Sequence, residues 1–186
     1  KVRGLLSHVP TNTLFAESVL CGDVEGTVYG DDAQSPRVCY IAHQYGMSLL
    51  LGDTDNEGFN RALAAYLTNA DTARDRHEWM QVYPGEWTGR LTEMLGERLV
   101  KKDEKEGDGD PAKVVEFTRV NFAFDGDRYR EAVGRRSKPD YEIVPTTEGI
   151  FNTITGSVIP RYFWKDAGQF LQKGGGYTLI CEGVAA

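Results

Sequence analysis

Short apolar runs of strand length alternate along this chain with amphipathic stretches of helix length. Residues 38–42 and 47–51 flank a Tyr45-Gly46 turn, a pattern that predicts a β-hairpin. Apolar residues then recur at helical spacing from Phe59 to Leu67, which predicts an amphipathic helix. Because strands and helices interleave and some strands are joined by hairpins, we expect an α/β or α+β fold with a mixed sheet and flanking helices.

The same reasoning assigns the remaining elements. Helices are predicted where apolar residues fall on one face and a glycine follows: 14–21, 87–95, 150–154 and 163–171. Strands are predicted where apolar residues cluster or alternate: 79–83, 120–124, 141–144 and 177–181. In the 120–124 run, Val120, Phe122 and Phe124 should form one apolar face, with Arg119 and Asn121 on the polar side.

A domain boundary is predicted at residue 140. The chain has 186 residues, which is enough for one large domain or two small ones. Pro139 lies in a short polar stretch just before a new strand, so we expect one domain over 1–140 and another over 141–186. Residues 101–113 are mostly charged, and we expect them to form a solvated loop.

The charge and cysteine content limit the classes of partner and location. Asp and Glu number 28 against 21 Lys and Arg, giving a net charge of −7 and no basic stripe. We therefore expect neither a nucleic-acid nor an anionic-membrane partner. No apolar run approaches the roughly 20 residues of a membrane span. The three cysteines are widely spaced and odd in number, which favours a reducing, cytoplasmic location.

No convincing metal motif is present. Residues 53–58 begin like a calcium loop, but the position that needs a bidentate Glu is Ala64. An acidic cap before the following helix explains them better. Cys39 and His43 lie four residues apart without further ligands nearby, so a structural role is favoured. We therefore expect no metal cofactor.

The 156–164 stretch is the richest in groups that could contact a ligand. It combines hydroxyls, a guanidinium and aromatic rings on a connection between two predicted helices, in Ser157, Arg161, Tyr162 and Trp164. Loops of this composition often shape ligand pockets. A packed elbow between two helices accounts for the same residues equally well, so both readings stay open.

Several stretches, taken in order, resemble a group of bacterial GNAT acetyltransferases, the two-part kind that includes zwittermicin-resistance-like proteins. The matching stretches are 12–19, 26–29, 45–50, 81–84 with Trp87, 118–122 and 156–164. Their order follows that of the group and they extend over nearly the whole chain.

The resemblance implies an N-terminal α/β half followed by the opening of a catalytic GNAT half. Residues 141–144 would be its first strand, 147–154 and 163–173 its first two helices, and 177–181 would open its first hairpin. The implied activity is transfer of an acetyl group from acetyl-CoA to the amine of a small molecule or peptide. The implied acceptor-side residues are Ser157, Arg161, Tyr162 and Trp164.

The sequence departs from the family in one respect. It contains no [Q/R]-x-x-G-x-[G/A] run, the GNAT signature whose backbone N–H groups bind the cofactor pyrophosphate at a helix start. We therefore expect the rest of the GNAT half to lie beyond residue 186, and this chain alone to be inactive. The catalytic base, the oxyanion donor, the cofactor-binding residues and the oligomeric state remain unassigned. The alternative is a non-catalytic binding or regulatory module on a GNAT-like scaffold.

Overall fold

The computed structural model describes residues 1–70, 72–74, 76–101, 110, 112–134, 141–156 and 159–185. The chain forms two compact units, Lys1–Val120 and Asn121–Ala186. The expected linker ends at residue 140, and the stretch just before it lies outside the described residues, so that boundary stays a prediction. Most of the charged 101–113 segment also lies outside them.

The first unit contains six strands and four α-helices among its described residues. In chain order they are α1 (Val2–Leu6), α2 (Leu14–Cys21), β1 (Gly26–Gly30), β2 (Val38–His43), β3 (Met47–Gly52), α3 (Glu57–Leu67), β4 (Trp79–Tyr83), α4 (Trp87–Leu95), β5 (Leu99–Lys101) and β6 (Val114–Glu116). A 3-10 turn, Gly96–Arg98, joins α4 to β5.

The main sheet of the first unit is mixed, as predicted. Its order is β1-β2-β3-β4, with antiparallel pairing from β1 to β3 and parallel pairing between β3 and β4. The predicted hairpin is β2–β3, and Gly46 takes the positive φ of +93° that its turn requires. β5 and β6 pair in parallel as a separate two-stranded sheet.

Helices cover both faces of this sheet. Residues Tyr40 and Leu50 point to one face and pack with α3 and α4, whereas Ile41 and Leu49 point to the other and pack with α1 and α2. Successive strand residues alternate between faces, so a strand covered on both sides is apolar throughout. This explains why the 38–42 and 47–51 runs show no polar alternation.

The second unit contains a three-stranded antiparallel sheet and three α-helices among its described residues. They are α5 (Gly126–Gly134), β7 (Tyr141–Pro145), α6 (Glu148–Thr153), α7 (Ala167–Lys173), β8 (Tyr177–Cys181) and β9 (Val184–Ala185), in the sheet order β7-β8-β9. Its small core is formed by Phe151, Ala167 and Phe170, with Trp164 packed against them. The strand–helix–helix–hairpin order matches the expectation from the family resemblance.

Two predicted elements differ from the structure. The predicted 120–124 strand is wrong: these residues are irregular, and the ring of Phe122 is 91% exposed. The apolar alternation is present, but no strand in the described part of the chain pairs with it. α7 begins at Ala167 rather than at residue 163, because Pro160 opens a 3-10 turn and the Asp166 carboxylate caps the Gln169 N–H at 2.7 Å. No described helix is long and apolar enough to cross a membrane.

Candidate functional site

Arg161 ties the 3-10 turn before α7 to the end of α6 by hydrogen bonds. Its Nη1 donates to the main-chain oxygen of Phe151 at 2.5 Å, and its Nη2 donates to that of Ile154 at 2.6 Å. The last carbonyl groups of a helix lack partners within the helix, and a guanidinium fork can satisfy two of them at once. The Arg161 side chain, expected to contact the substrate, therefore ties its own 3-10 turn to the end of α6.

Trp164 lies on the small core of the second unit. Its ring meets that of Phe170 edge to face, with centroids 5.8 Å apart. A Cβ placed on Gly174 would lie 2.5 Å from the Trp164 ring, so the glycine leaves room for the indole. Tyr162 differs because its side chain is 43% exposed. Ser157 lies outside the described residues.

Three of the four predicted acceptor-side residues thus lie in or just after the 3-10 turn that precedes α7. Arg161 bonds the 3-10 turn to the end of α6, and Trp164 packs on the small core of the second unit. Tyr162, in contrast, is 43% exposed. A role in holding the loop accounts for the first two side chains without a ligand. Direct contact of these residues with an acceptor stays a prediction.

The glycine run after α7 has a packing role. A Cβ on Gly176 would lie 3.3 Å from the Thr146 hydroxyl oxygen and 3.2 Å from the Phe170 ring. The Thr146 N–H donates to the Gly176 carbonyl at 2.9 Å, and the buried hydroxyls of Thr146 and Thr178 lie 2.8 Å apart. The glycines at 174–176 therefore permit a close approach of the main chain to Thr146, just after β7.

At two strand-to-helix turns, β3–α3 and β7–α6, side-chain oxygens accept N–H groups at or before the helix start, whereas at β4–α4 the Trp87 and Thr88 N–H groups donate to main-chain oxygens. At the β3–α3 turn, Asn56 Oδ1 accepts the Phe59 N–H at 3.0 Å and Asp53 Oδ1 accepts the Asp55 N–H at 2.9 Å. The Thr147 hydroxyl accepts the Ile150 N–H before α6 at 3.3 Å. A phosphate at the β3–α3 or β7–α6 turn would compete with these side-chain oxygens.

A carboxylate network that the sequence did not predict lies in the first unit. The Glu78 carboxylate accepts hydrogen bonds from the hydroxyls of Tyr40 and Tyr66, the latter at 2.5 Å. The Tyr40 hydroxyl also lies 2.8 Å from the buried Ser48 hydroxyl. Since a carboxylate only accepts, the single phenolic proton of Tyr40 points to Glu78, and Ser48 donates to the Tyr40 oxygen.

Burial and the Glu78 charge both act on these phenols. Burial first, and then the neighbouring carboxylate, raise the pKa of Tyr40 far above its ordinary value. Burial followed by the hydrogen bond to Glu78 raises the pKa of Tyr66 in the same direction. Both phenols therefore stay protonated and keep donating to Glu78. No sequence signal could have revealed the network, because its members come from β2, β3, α3 and the approach to β4.

The described residues hold no group of three or more His, Cys, Asp or Glu side chains placed to bind a metal ion. Asp53, the first acid of the calcium-like run, instead lies 3.4 Å from Arg37 Nη1 in an ion pair. Asn56 caps α3 as described above, so the run acts as a helix start.

Comparison with known proteins identifies the family. The model of a family described as GNAT acetyltransferase matches residues 5–185. The chain belongs to the GNAT acetyltransferase family. No curated protein sequence gives a significant match.

A solved structure shares the fold. It is the crystal structure of a GCN5-related N-acetyltransferase-like protein from Streptococcus suis 89/1591, 15% identical in sequence with a TM-score of 0.57. The alignment covers 99% of this chain and 66% of that one, so the GNAT chain described here spans just under two thirds of its length. At this identity the likeness shows a common fold.

Proposed function

We propose that this GNAT chain is part of an N-acetyltransferase that moves the acetyl group of acetyl-CoA to an amine of a small molecule or peptide. The observation that carries the proposal is the family match over residues 5–185. The ordered sequence stretches further suggest the two-part, zwittermicin-resistance-like subgroup. Three unpaired cysteines support a cytoplasmic location.

In the proposed reaction the neutral amine attacks the thioester carbonyl carbon. The carbon–sulfur bond breaks, coenzyme A leaves as its thiolate, and a base takes the proton released by the amine. The second unit would supply the acceptor-side wall through the 3-10 turn before α7. Tyr162 suits contact with the acceptor because its ring is accessible, and Arg161 suits the task of holding it in place.

We also propose that these 186 residues do not bind the cofactor pyrophosphate by themselves. Pyrophosphate needs several convergent N–H donors at a helix start. The β3–α3 turn is acidic, and side-chain oxygens of Asp53 and Asn56 already accept its N–H groups. The net charge of −7 adds no cationic field that could compensate.

Calorimetry with acetyl-CoA tests both proposals. We expect no micromolar binding to residues 1–186 and clear binding to the full-length protein. Micromolar binding to the shorter chain would contradict the claim about the pyrophosphate site. If the full-length protein also fails to bind acetyl-CoA, the transferase proposal falls and a non-catalytic binding module takes its place.

Steady-state kinetics tests the acceptor-side assignment in the full-length protein, with a panel of aminoglycosides, polyamines and lysine-containing peptides. Tyr162→Ala should raise the acceptor KM or lower turnover while leaving acetyl-CoA affinity nearly unchanged. Trp164→Ala should do the same if the folded state survives. Glu142→Gln, on an exposed residue of β7, is the control. Equal losses in cofactor affinity would contradict the assignment.

A further inference from the structure

The Glu78 carboxylate is held by neutral groups. Its two oxygens accept hydrogen bonds from the Tyr40 and Tyr66 hydroxyls. Among the ion pairs formed by the described residues, none includes Glu78. A half-buried carboxylate that accepts hydrogen bonds from phenols and forms no ion pair among the described residues favours the binding of a cation from solution.

The arginines nearest to Glu78 in sequence are turned to main-chain oxygens. Arg74 Nη2 donates to the Leu67 carbonyl at 2.9 Å, at the end of α3. Arg76 Nη1 donates to the Gln44 carbonyl at 2.7 Å. No described ion pair joins either guanidinium to Glu78, although the charge of Arg74 partly opposes the rise in the pKa of Tyr66.

The rings of Tyr40 and Tyr66, whose hydroxyls bind the carboxylate, lie close to a third ring, that of Tyr29. The centroids of the Tyr29 and Tyr66 rings are 5.7 Å apart, and those of Tyr40 and Tyr66 are 5.5 Å apart. Tyr40 is fully buried, but Tyr29 is 45% exposed and Tyr66 is partly exposed. The face of an aromatic ring attracts cations, most strongly where the site is shielded from water.

We propose that Glu78, with the accessible rings of Tyr29 and Tyr66, forms a binding site for an organic ammonium ion. A Ca²⁺ or Mg²⁺ ion needs about six or more oxygen ligands, which one carboxylate and phenols already donating their protons do not supply. An organic cation uses both the charge and the ring faces. The site lies in the first unit and does not depend on the proposed acetyl transfer.

The probe is tetramethylammonium chloride, titrated into the chain without acetyl-CoA while tyrosine ring resonances are followed by NMR. Potassium chloride at equal ionic strength is the reference salt. We expect saturable shifts of the Tyr29 and Tyr66 signals with tetramethylammonium alone. Equal shifts with both salts, or none with either, would overturn the proposal.

Two variants localise the site. Glu78→Gln should weaken tetramethylammonium binding by about tenfold or more, whereas Glu142→Gln, the same change on exposed β7, should leave it unchanged. Because Glu78→Gln disturbs a partly buried network, Tyr29→Leu serves as a second variant that leaves those hydrogen bonds intact. It should also weaken binding, with thermal unfolding confirming that the chain is folded. Unchanged binding to folded Tyr29→Leu would show that the ring takes no part and overturn the proposal.

Discussion

The indole N–H of Trp87 donates a hydrogen bond to the main-chain oxygen of Gly52, 3.1 Å away. This bond ties the start of α4 to the end of β3 within the first unit. Gly52 has a φ of +103°, and a Cβ there would lie 2.1 Å from the Arg37 carbonyl oxygen. The contact therefore depends on a glycine at the strand end and on a ring with a hydrogen-bond donor at the helix start.

Replacing Trp87 with Phe tests this relationship. The phenyl ring fills most of the buried space that the Trp87 indole occupies, but it leaves the Gly52 oxygen without its hydrogen-bond donor. We expect the free energy of unfolding to fall by about 1–3 kcal/mol, measured by urea denaturation. Trp79→Phe is the control because Trp79 is 73% exposed. A similar loss in both variants would show that the indole hydrogen bond contributes little.

A second prediction concerns Arg161. Arg161→Ala removes the two hydrogen bonds to the Phe151 and Ile154 carbonyls, and we expect a loss of about 1–3 kcal/mol in unfolding free energy. Arg161→Lys keeps the charge but cannot reproduce the two-pronged contact, so it should recover only part of that loss. Arg128→Ala, on an exposed residue of α5, is the control. Full recovery by lysine would show that the charge alone matters.

The sequence predicted elements whose formation depends on local signals. The β2–β3 hairpin, α3 (Glu57–Leu67) and α4 (Trp87–Leu95) all lie close to their expected positions. Apolar periodicity and short-range capping carry that information. The GNAT-like order of the second unit followed from the family resemblance.

What the sequence did not predict depends on long-range contacts. The alternation of Val120, Phe122 and Phe124 is typical of a strand, but a strand requires a neighbour with which to pair, and sequence periodicity does not supply one. Glu78 meets Tyr40 from 38 positions away, so no local pattern marks the network. The roles of Arg161 and Trp164 in holding their loop became visible only once Phe151, Ile154 and Gly174 were placed beside them.

The third prediction is a pH dependence due to His43. Burial lowers the pKa of this side chain from its ordinary 6.5, and its Nδ1 accepts the Tyr45 N–H at 3.0 Å, which requires the unprotonated form. In the unfolded chain His43 takes up a proton as the pH falls through about 6.5, whereas in the folded chain it does so only at lower pH. The stability that neutral His43 contributes is therefore complete above about pH 6.5, and it is lost progressively as the pH falls below that value.

Urea denaturation between pH 7.5 and 5 measures the effect. His43→Asn retains a side-chain oxygen that can accept the Tyr45 N–H but cannot titrate, so the fall in stability towards pH 5 should be shallower than in the parent. His77→Asn, on an exposed residue, controls for the removal of a histidine. An unchanged slope in His43→Asn would contradict the prediction.

The last prediction concerns the three cysteines, which are all unpaired. Burial, assisted by the charge of Asp31, raises the pKa of Cys39 to about 11, so this thiol is almost entirely protonated at pH 8 and has no access to reagent. Cys21 and Cys181 are exposed. Because the thiolate is the reactive form, a disulfide reagent at pH 8 should modify Cys21 and Cys181 quickly in the native protein and Cys39 only after denaturation.

A Cys21→Ser/Cys181→Ser double variant should lose the whole fast phase of the reaction and keep one slow thiol. Rapid reaction of all three thiols in the native protein would show that β2 is accessible, and a total of one thiol after denaturation would show a disulfide.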